Sequence, residues 1–122
     1  MVYMSSFIDK INSLIGAPYD EREFHCWNLV EILVPNAPKI SVVSQSLYLN
    51  AKTFKNEIQN HRLKEVQKFA DKDIILLGNK ETFFHSGVYF NGGVVHAKEG
   101  GVVYEKMDKI KLFYANIKGL RV

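Results

Sequence analysis

The first third of the chain carries apolar residues at helical spacing. Between Phe7 and Ile15 they recur every three or four positions, and Ser6 precedes them as a capping residue would. Gly16 then interrupts the pattern. The spacing therefore predicts a first helix over residues 6–15.

A second apolar face begins at Cys26. It continues at i, i+3, i+4 and i+7 through Leu29, Val30 and Leu33, and Pro35 ends it. This pattern predicts a second helix that begins at or beside Cys26.

Residues 35–60 are less regular. Residues 35–38 read as a turn, and the pattern up to residue 50 suits either a short strand or a helix, so no element is assigned there. Phe54 and Ile58 lie one helical turn apart in a polar background, which predicts a surface helix over residues 51–60.

The second half of the chain changes to short apolar runs separated by glycine, asparagine and lysine. Such alternation of runs and turn residues is typical of an antiparallel sheet. The predicted strands cover residues 63–66, 73–77, 84–90, 94–98, 102–104 and 117–122. Helices first and a meandering sheet of five to six strands afterwards predict an α+β fold.

Length and composition agree with one globular unit. A chain of 122 residues buries roughly two thirds of its unfolded surface, and a hydrophobic fraction of 47% with 24% charged residues is ordinary for such domains. We therefore expect a single domain over residues 1–122, without linkers or internal repeats.

Charge and cysteine content exclude several classes of protein. One cysteine forms no internal disulfide and supports no four-cysteine zinc motif, and a net charge of +3 is too weak for a nucleic-acid footprint. The N-terminus resembles no signal peptide, and no run of eighteen apolar residues predicts a membrane span. We expect a chain made in the cytoplasm that neither binds nucleic acid nor inserts into a membrane.

Cys26 is the first candidate for chemistry. At a helix start the aligned peptide dipoles favour the thiolate, which would make the sulfur nucleophilic. The alternative is a buried apolar role, since free cysteine is among the most buried residue types.

Two histidines form the second candidate. Asn91-Gly92 is the sequence most typical of a two-residue type I′ hairpin, and this turn places Gly87 opposite His96. His85 then lies on the same face as His96, diagonally across the pair and within side-chain reach. Glycine at position 87 predicts open space on the face where the two imidazoles meet.

Together, one thiol and two converging imidazoles match the parts of a nucleophile, a general base and an orienting group. Zinc binding by the same three residues is the weaker alternative, because the sequence lacks a tight ligand pair such as Cys-x-x-Cys. We expect no metal and no cofactor.

These residues resemble the NlpC/P60 family of papain-like cysteine peptidases, particularly its short phage-tail-assembly branch. The resemblance covers most of the chain outside residues 36–60. Its motifs are Ile-Gly-Ala-Pro-Tyr at 15–19, His-Cys-Trp-Asn-Leu-Val at 25–30, Asp-Ile-Ile-Leu-Leu at 73–77, His-Ser-Gly-Val-Tyr at 85–89 and Val-Val-His-Ala at 94–97.

The resemblance implies a papain-like fold and a role for each site residue. Cys26 would attack the scissile carbonyl, His85 would act as general base and then acid, and His96 would orient His85. Tyr19 matches the family tyrosine beside the nucleophile, where its hydroxyl would bind the oxyanion together with the backbone N–H of Cys26.

Four features depart from the family pattern, and the first three of them concern the substrate pocket. His25 replaces the usual aspartate before the nucleophile, Asn28 replaces a small residue, a polar stretch at 20–23 replaces glycines, and the turn between the histidines is one residue shorter. His25 is interpreted as a flanking or substrate-side group, with a second base as the weaker alternative, and His61 as a solvated helix residue.

Family members cut peptide bonds in bacterial peptidoglycan stems. Since this substrate lies outside the cytoplasmic membrane, the resemblance implies delivery by partner proteins, and we expect a virion tail component that acts at the bacterial cell wall. A secreted antibacterial effector is a second route.

Two other functions stay open at this point. The chain would be a structural tail or interaction module if a partner or residues 36–60 covered the triad. It would be an amidase or thiol acyltransferase if the covalent intermediate served another substrate, although related acyltransferases usually place histidine before cysteine.

Overall fold

The computed structural model describes residues 2–18, 26–39, 63–80, 82–98 and 100–122. Within these ranges the chain forms three helices and a six-stranded antiparallel sheet, which confirms the α+β class. The helices are α1 (Val2–Leu14), α2 (Cys26–Leu33) and α3 (Met107–Phe113).

The strands of the sheet are β1 (Lys64–Val66), β2 (Ile74–Asn79), β3 (Thr82–Phe90), β4 (Gly93–Lys98), β5 (Gly101–Lys106) and β6 (Asn116–Arg121). Their order is β1-β6-β2-β3-β4-β5, and every neighbouring pair is antiparallel. Strands β2 to β5 form a meander, while β6 returns to pair with β2 and carries β1 at the sheet edge.

The turn between β3 and β4 has the predicted conformation. Asn91 has φ 43° and Gly92 has φ 79°, so both central residues are in the left-handed region that a type I′ turn requires. This turn fixes the register of the hairpin that carries both histidines.

The two faces of the sheet pack against different helices. Side chains alternate along a strand, so Leu76 of β2 packs against α1 and α2, whereas its neighbour Leu77 packs near Ile110 of α3. We call these the α1/α2 face and the α3 face. The α1/α2 face buries the larger cluster, including Phe7, Ile11, Trp27, Leu29, Val30, Ile74, Leu76, Val88 and Val95.

Several predicted element boundaries were wrong. Helix α1 begins at Val2 and not at residue 6, because residues 2–5 contain no glycine or proline that would end it. Ser6 therefore lies inside the helix and does not cap it. The sequence pattern gave no sign of α3, and the predicted helix over residues 51–60 lies outside the described residues.

Candidate active site

The two histidines of the β3–β4 hairpin lie in contact. His85 Nε2 and His96 Nδ1 are 2.8 Å apart, and their ring centroids are 5.1 Å apart with an interplanar angle of 70°. The observed pairing of Val88 with Val95 is the register that the Asn-Gly turn predicts. The sequence-based expectation that the imidazoles meet on one face is therefore confirmed.

Gly87 plays a different part from the one expected. A Cβ at this position would lie 2.5 Å from Val94 Cγ1, 2.7 Å from the Val95 carbonyl oxygen and 3.0 Å from His96 Cβ. The prediction of open space beside Gly87 was wrong, because β4 fills it. The missing side chain instead allows β4 to approach closely enough for the imidazoles to touch.

A buried carboxylate extends the histidine pair across a third strand. Glu105 of β5 is 7% exposed, and its Oε1 lies 2.7 Å from His96 Nε2. Lys98 Nζ donates to the same oxygen at 3.2 Å, and Lys109 Nζ of α3 lies 3.0 Å from Oε2. We call His85, His96 and Glu105 the His-His-Glu chain.

Sequence reasoning missed Glu105, although a signal was present. The β4–β5 ladder pairs Glu105 with Val94, two residues from His96 and on the same face. The predicted last β5 residue was 104, one position too early. Extending the strand by one residue would have placed a carboxylate beside the second histidine.

The protonation states of the chain follow from burial and charge. Burial, helped by the charges of His96 and Lys98, lowers the pKa of His85 to about 3. Burial also lowers the pKa of His96, against the opposing effect of Glu105. Burial by itself would raise the pKa of Glu105, but hydrogen bonds from Lys109, His96 and Lys98 lower it to about 2. At neutral pH both imidazoles are neutral and the carboxylate is ionised.

Tyr114, which follows α3, covers the first histidine. Its ring stacks on His85 with centroids 6.0 Å apart and an interplanar angle of 15°. Burial raises the pKa of Tyr114, and the negative charge of Glu105 raises it further. Tyr114 thus covers one side of the His85 ring.

Cys26 is the first residue of α2, as predicted, but its thiol is not activated in the resting protein. Burial raises the pKa of Cys26, and contacts with Ser86 and neighbouring backbone groups lower it by less. The side chain is 3% exposed. Of the two roles that the sequence left open for Cys26, the resting protein has the buried one, because desolvation of the charged form outweighs the helix N-terminus.

The thiol approaches β3 from the side opposite the imidazoles. Cys26 packs in the same cluster as Val95 and Ala97, so His96, which lies between these two residues, projects from the α3 face. The thiol contacts Ser86, which directly follows His85 along β3. The predicted cleft with all three groups on one face therefore differs from the arrangement observed.

One feature of the sheet links the two sides. The β3–β4 ladder runs from Phe90 paired with Gly93 to Val88 paired with Val95, and the preceding residues of β3 pair with β2. Ser86 lies in this stretch, and its side chain and backbone both lower the pKa of the thiol. Its Oγ is buried and lies beside the thiol without a well-formed hydrogen bond to any group in the described part of the chain. The thiol and the first imidazole border the same stretch of β3.

The remaining candidate residues lie outside the described ranges, and two further kinds of site are not found within them. Tyr19, His25 and His61 lie outside the described residues. Among the residues that are described, no group of three His, Cys, Asp or Glu side chains has a geometry that would hold a metal ion. No helix in these ranges is both long and apolar enough to cross a membrane.

Comparison with known proteins adds no further assignment. A scan against protein-family models found no match, and a search of curated proteins found none. Any functional interpretation therefore depends on the residues and their geometry.

Proposed function

We propose that this chain is a papain-like cysteine peptidase that hydrolyses amide bonds in bacterial peptidoglycan stems and acts as a virion tail component. The observation that carries the proposal is the 2.8 Å contact between His85 and His96, beside a strand residue that touches the only thiol in the sequence. The three groups that a cysteine peptidase uses, a base, an orienting group and a nucleophile, thereby border the same stretch of β3, with the thiol on one face of the sheet and the imidazoles on the other.

The first half of the reaction forms a thioester. Nε2 of His85 faces His96, so Nδ1 is the nitrogen left to accept the thiol proton of Cys26. In the resting protein the thiol lies on the opposite face of β3, so the reaction requires that the thiol first reach this imidazole. As the proton moves, Sγ attacks the scissile carbonyl carbon and its oxygen becomes an oxyanion. The tetrahedral intermediate then collapses, the C–N bond breaks, and the amine leaves with the proton that His85 returns.

The second half of the reaction restores the thiol. Nδ1 of His85 takes a proton from water, the hydroxide adds to the thioester carbon, and the C–S bond breaks. Cys26 recovers the proton, and the carboxylic acid product departs. Because the resting thiol and imidazole are both neutral, proton transfer accompanies each attack and no ion pair is formed beforehand.

The substrate class comes from the sequence resemblance to NlpC/P60 peptidases. The two histidines and the cysteine occupy the motif positions of that family, and the antiparallel sheet behind two N-terminal helices is compatible with its fold. A substrate at the outer surface of the cell requires that the enzyme be delivered there, and a place in the virion tail would provide this delivery.

The test is mass spectrometry of purified wall fragments incubated with the protein and its variants. Cys26→Ser and His85→Ala are each expected to lower turnover by at least about 1000-fold, because each removes a group that reacts directly. Lys111→Ala, on the exposed side of α3, is the matched control and should retain turnover. Circular dichroism establishes that each variant is folded. Wild-type turnover by the folded Cys26→Ser protein would refute the proposal.

One observation favours a second candidate function. The 3% exposure of Cys26 and its raised pKa suit a structural tail module whose triad is covered. Iodoacetamide distinguishes the two functions. In a structural module, iodoacetamide would leave the native Cys26 thiol unreacted even with wall fragments present. In the peptidase, Cys26 would be alkylated when wall fragments are added.

A further inference from the structure

Glu105 is the buried end of the His-His-Glu chain, and it is an ionised carboxylate in the interior of the protein. Its oxygens contact one imidazole and two ammonium groups, from β4 and α3. A buried carboxylate without such partners would be strongly unfavourable, so all three contacts compensate for its desolvation. Only the contact with His96 leads towards the candidate base.

Hydrogen-bonding rules fix the proton positions along the chain. An ionised carboxylate only accepts, so the 2.7 Å contact requires that His96 Nε2 carries a proton and donates it. In a neutral imidazole the other nitrogen, Nδ1, is then a bare acceptor. It lies 2.8 Å from His85 Nε2, which must therefore be the protonated nitrogen of that ring.

We propose that Glu105 is a positioning residue that sets the tautomers of both histidines and leaves Nδ1 of His85 as the unprotonated, basic nitrogen. This inference rests on the proposed function for its catalytic consequence, although the tautomers themselves are measurable without any substrate. Glu105 touches neither the thiol nor the reacting carbonyl, and it acts only through His96.

The two lysines next to Glu105 help to fix which group donates and which accepts along the His-His-Glu chain. Lys98 and Lys109 offer only donors, so they compete for the oxygens and never for the protons of the imidazoles. In Glu105→Gln the single amide oxygen would be drawn to these lysines, which turns the amide N–H₂ towards His96. The amide would then donate to His96 Nε2, and the tautomers of both rings would invert.

The first measurement uses the unaltered protein. Nitrogen-15 NMR of labelled histidines distinguishes protonated from bare ring nitrogens, and we expect His85 to be protonated at Nε2 and bare at Nδ1 at neutral pH. His85 protonated at Nδ1 would overturn the proposal without any substitution, so the test does not depend on a variant that folds.

The second measurement compares variants. In Glu105→Gln we expect inverted or mixed tautomers for both histidines and a fall in kcat of about 10- to 100-fold, the usual size of such indirect effects, with KM little changed. Lys109→Met is the matched control, because it removes one contact of Glu105 but keeps the carboxylate, and its histidine spectra should match the wild type.

The two proposals fail in different ways. Unchanged tautomers and kcat in folded Glu105→Gln would overturn the positioning role, while loss of turnover in Cys26→Ser would still support the peptidase. Turnover that survives Cys26→Ser would refute the peptidase, while inverted tautomers in Glu105→Gln would still establish what the carboxylate does to the rings.

Discussion

The two faces of the sheet bury polar groups in opposite ways. On the α1/α2 face the thiol of Cys26 and the hydroxyl of Ser86 lie side by side in an apolar cluster, and the hydroxyl has no hydrogen-bond partner within the described residues. On the α3 face His85, His96 and Glu105 each have a partner at hydrogen-bond distance. The polar groups of the α3 face thus form a hydrogen-bonded chain, and those of the α1/α2 face do not.

This difference explains the protonation states on each side. The thiol of Cys26 stays neutral because burial raises its pKa by more than the contacts with Ser86 and neighbouring backbone groups lower it. On the α3 face Glu105 keeps its charge because two lysines and an imidazole surround it. Burial alone therefore does not decide ionisation in this fold, since the available partners decide it.

The largest expected effect comes from closing the gap in which the histidines meet. In Gly87→Ala the new Cβ meets the backbone oxygen of Val95, so β3 and β4 must separate, at a cost of about 3 kcal/mol in unfolding free energy. The separation should also break the His85–His96 contact. Urea denaturation measures the first effect and histidine NMR the second.

Gly93→Ala is the matched control for that experiment. Its Cβ would meet the Glu105 carbonyl oxygen and Tyr104, at the other end of the same hairpin. We expect a comparable loss of stability with the histidine contact retained. Equal disturbance of the imidazoles in both variants would show that Gly87 has no particular part in bringing them together.

The next effect concerns pH. The unfolded chain binds a proton at His85 near pH 6.5, whereas the folded chain does so only near pH 3. Stability is therefore full above pH 6.5 and falls as the pH drops towards 3, by about 1.4 kcal/mol per pH unit for each such histidine. Glu105 adds to the loss only below its ordinary pKa of 4.5.

His85→Gln tests how much of this pH dependence comes from His85. Between pH 6.5 and 4.5 the variant should lose the contribution of one histidine, so its free energy of unfolding should depend less on pH than that of the wild type. Urea denaturation at several pH values measures the slope. An identical slope would mean that His85 is protonated in the folded protein and that the α3 face does not keep it neutral.

The smallest effect is expected on the α1/α2 face. Ser86→Ala removes a buried hydroxyl that lies beside the Cys26 thiol but makes no well-formed hydrogen bond within the described residues, so stability should change by less than about 1 kcal/mol. The pKa of Cys26 should rise further, since a contact that lowers it is lost. Alkylation rates across pH measure this, with the wild-type midpoint above 9.0. A destabilised variant would show that the hydroxyl does have a partner.

The sequence predicted those parts of the site that depend on local rules. The Asn91-Gly92 turn determines the hairpin register, and the register determines that His85 and His96 share a face. The start of α2 at Cys26 likewise follows from apolar spacing.

The parts that depend on tertiary packing were not predictable in this way. The raised pKa of Cys26 reflects how completely the α1/α2 face encloses it, which no spacing in the sequence reveals. Helix α3 has seven residues and only Ile110 is buried, while Leu112 and Phe113 are exposed, so it lacks a clear apolar face. Tyr114 follows this helix and was missed with it.

The His-His-Glu chain takes one residue from each of three consecutive strands, β3, β4 and β5, which the chain enters by short reversals. The geometry of this chain consequently depends more on how many residues each reversal contains than on which residues they are. An inserted or deleted amino acid that shifts the register of a strand would rotate every following side chain to the other face of the sheet. We therefore expect proteins that share this chemistry to tolerate varied side chains around the imidazoles, and to change the length of a reversal only where the turn keeps both histidines on one face.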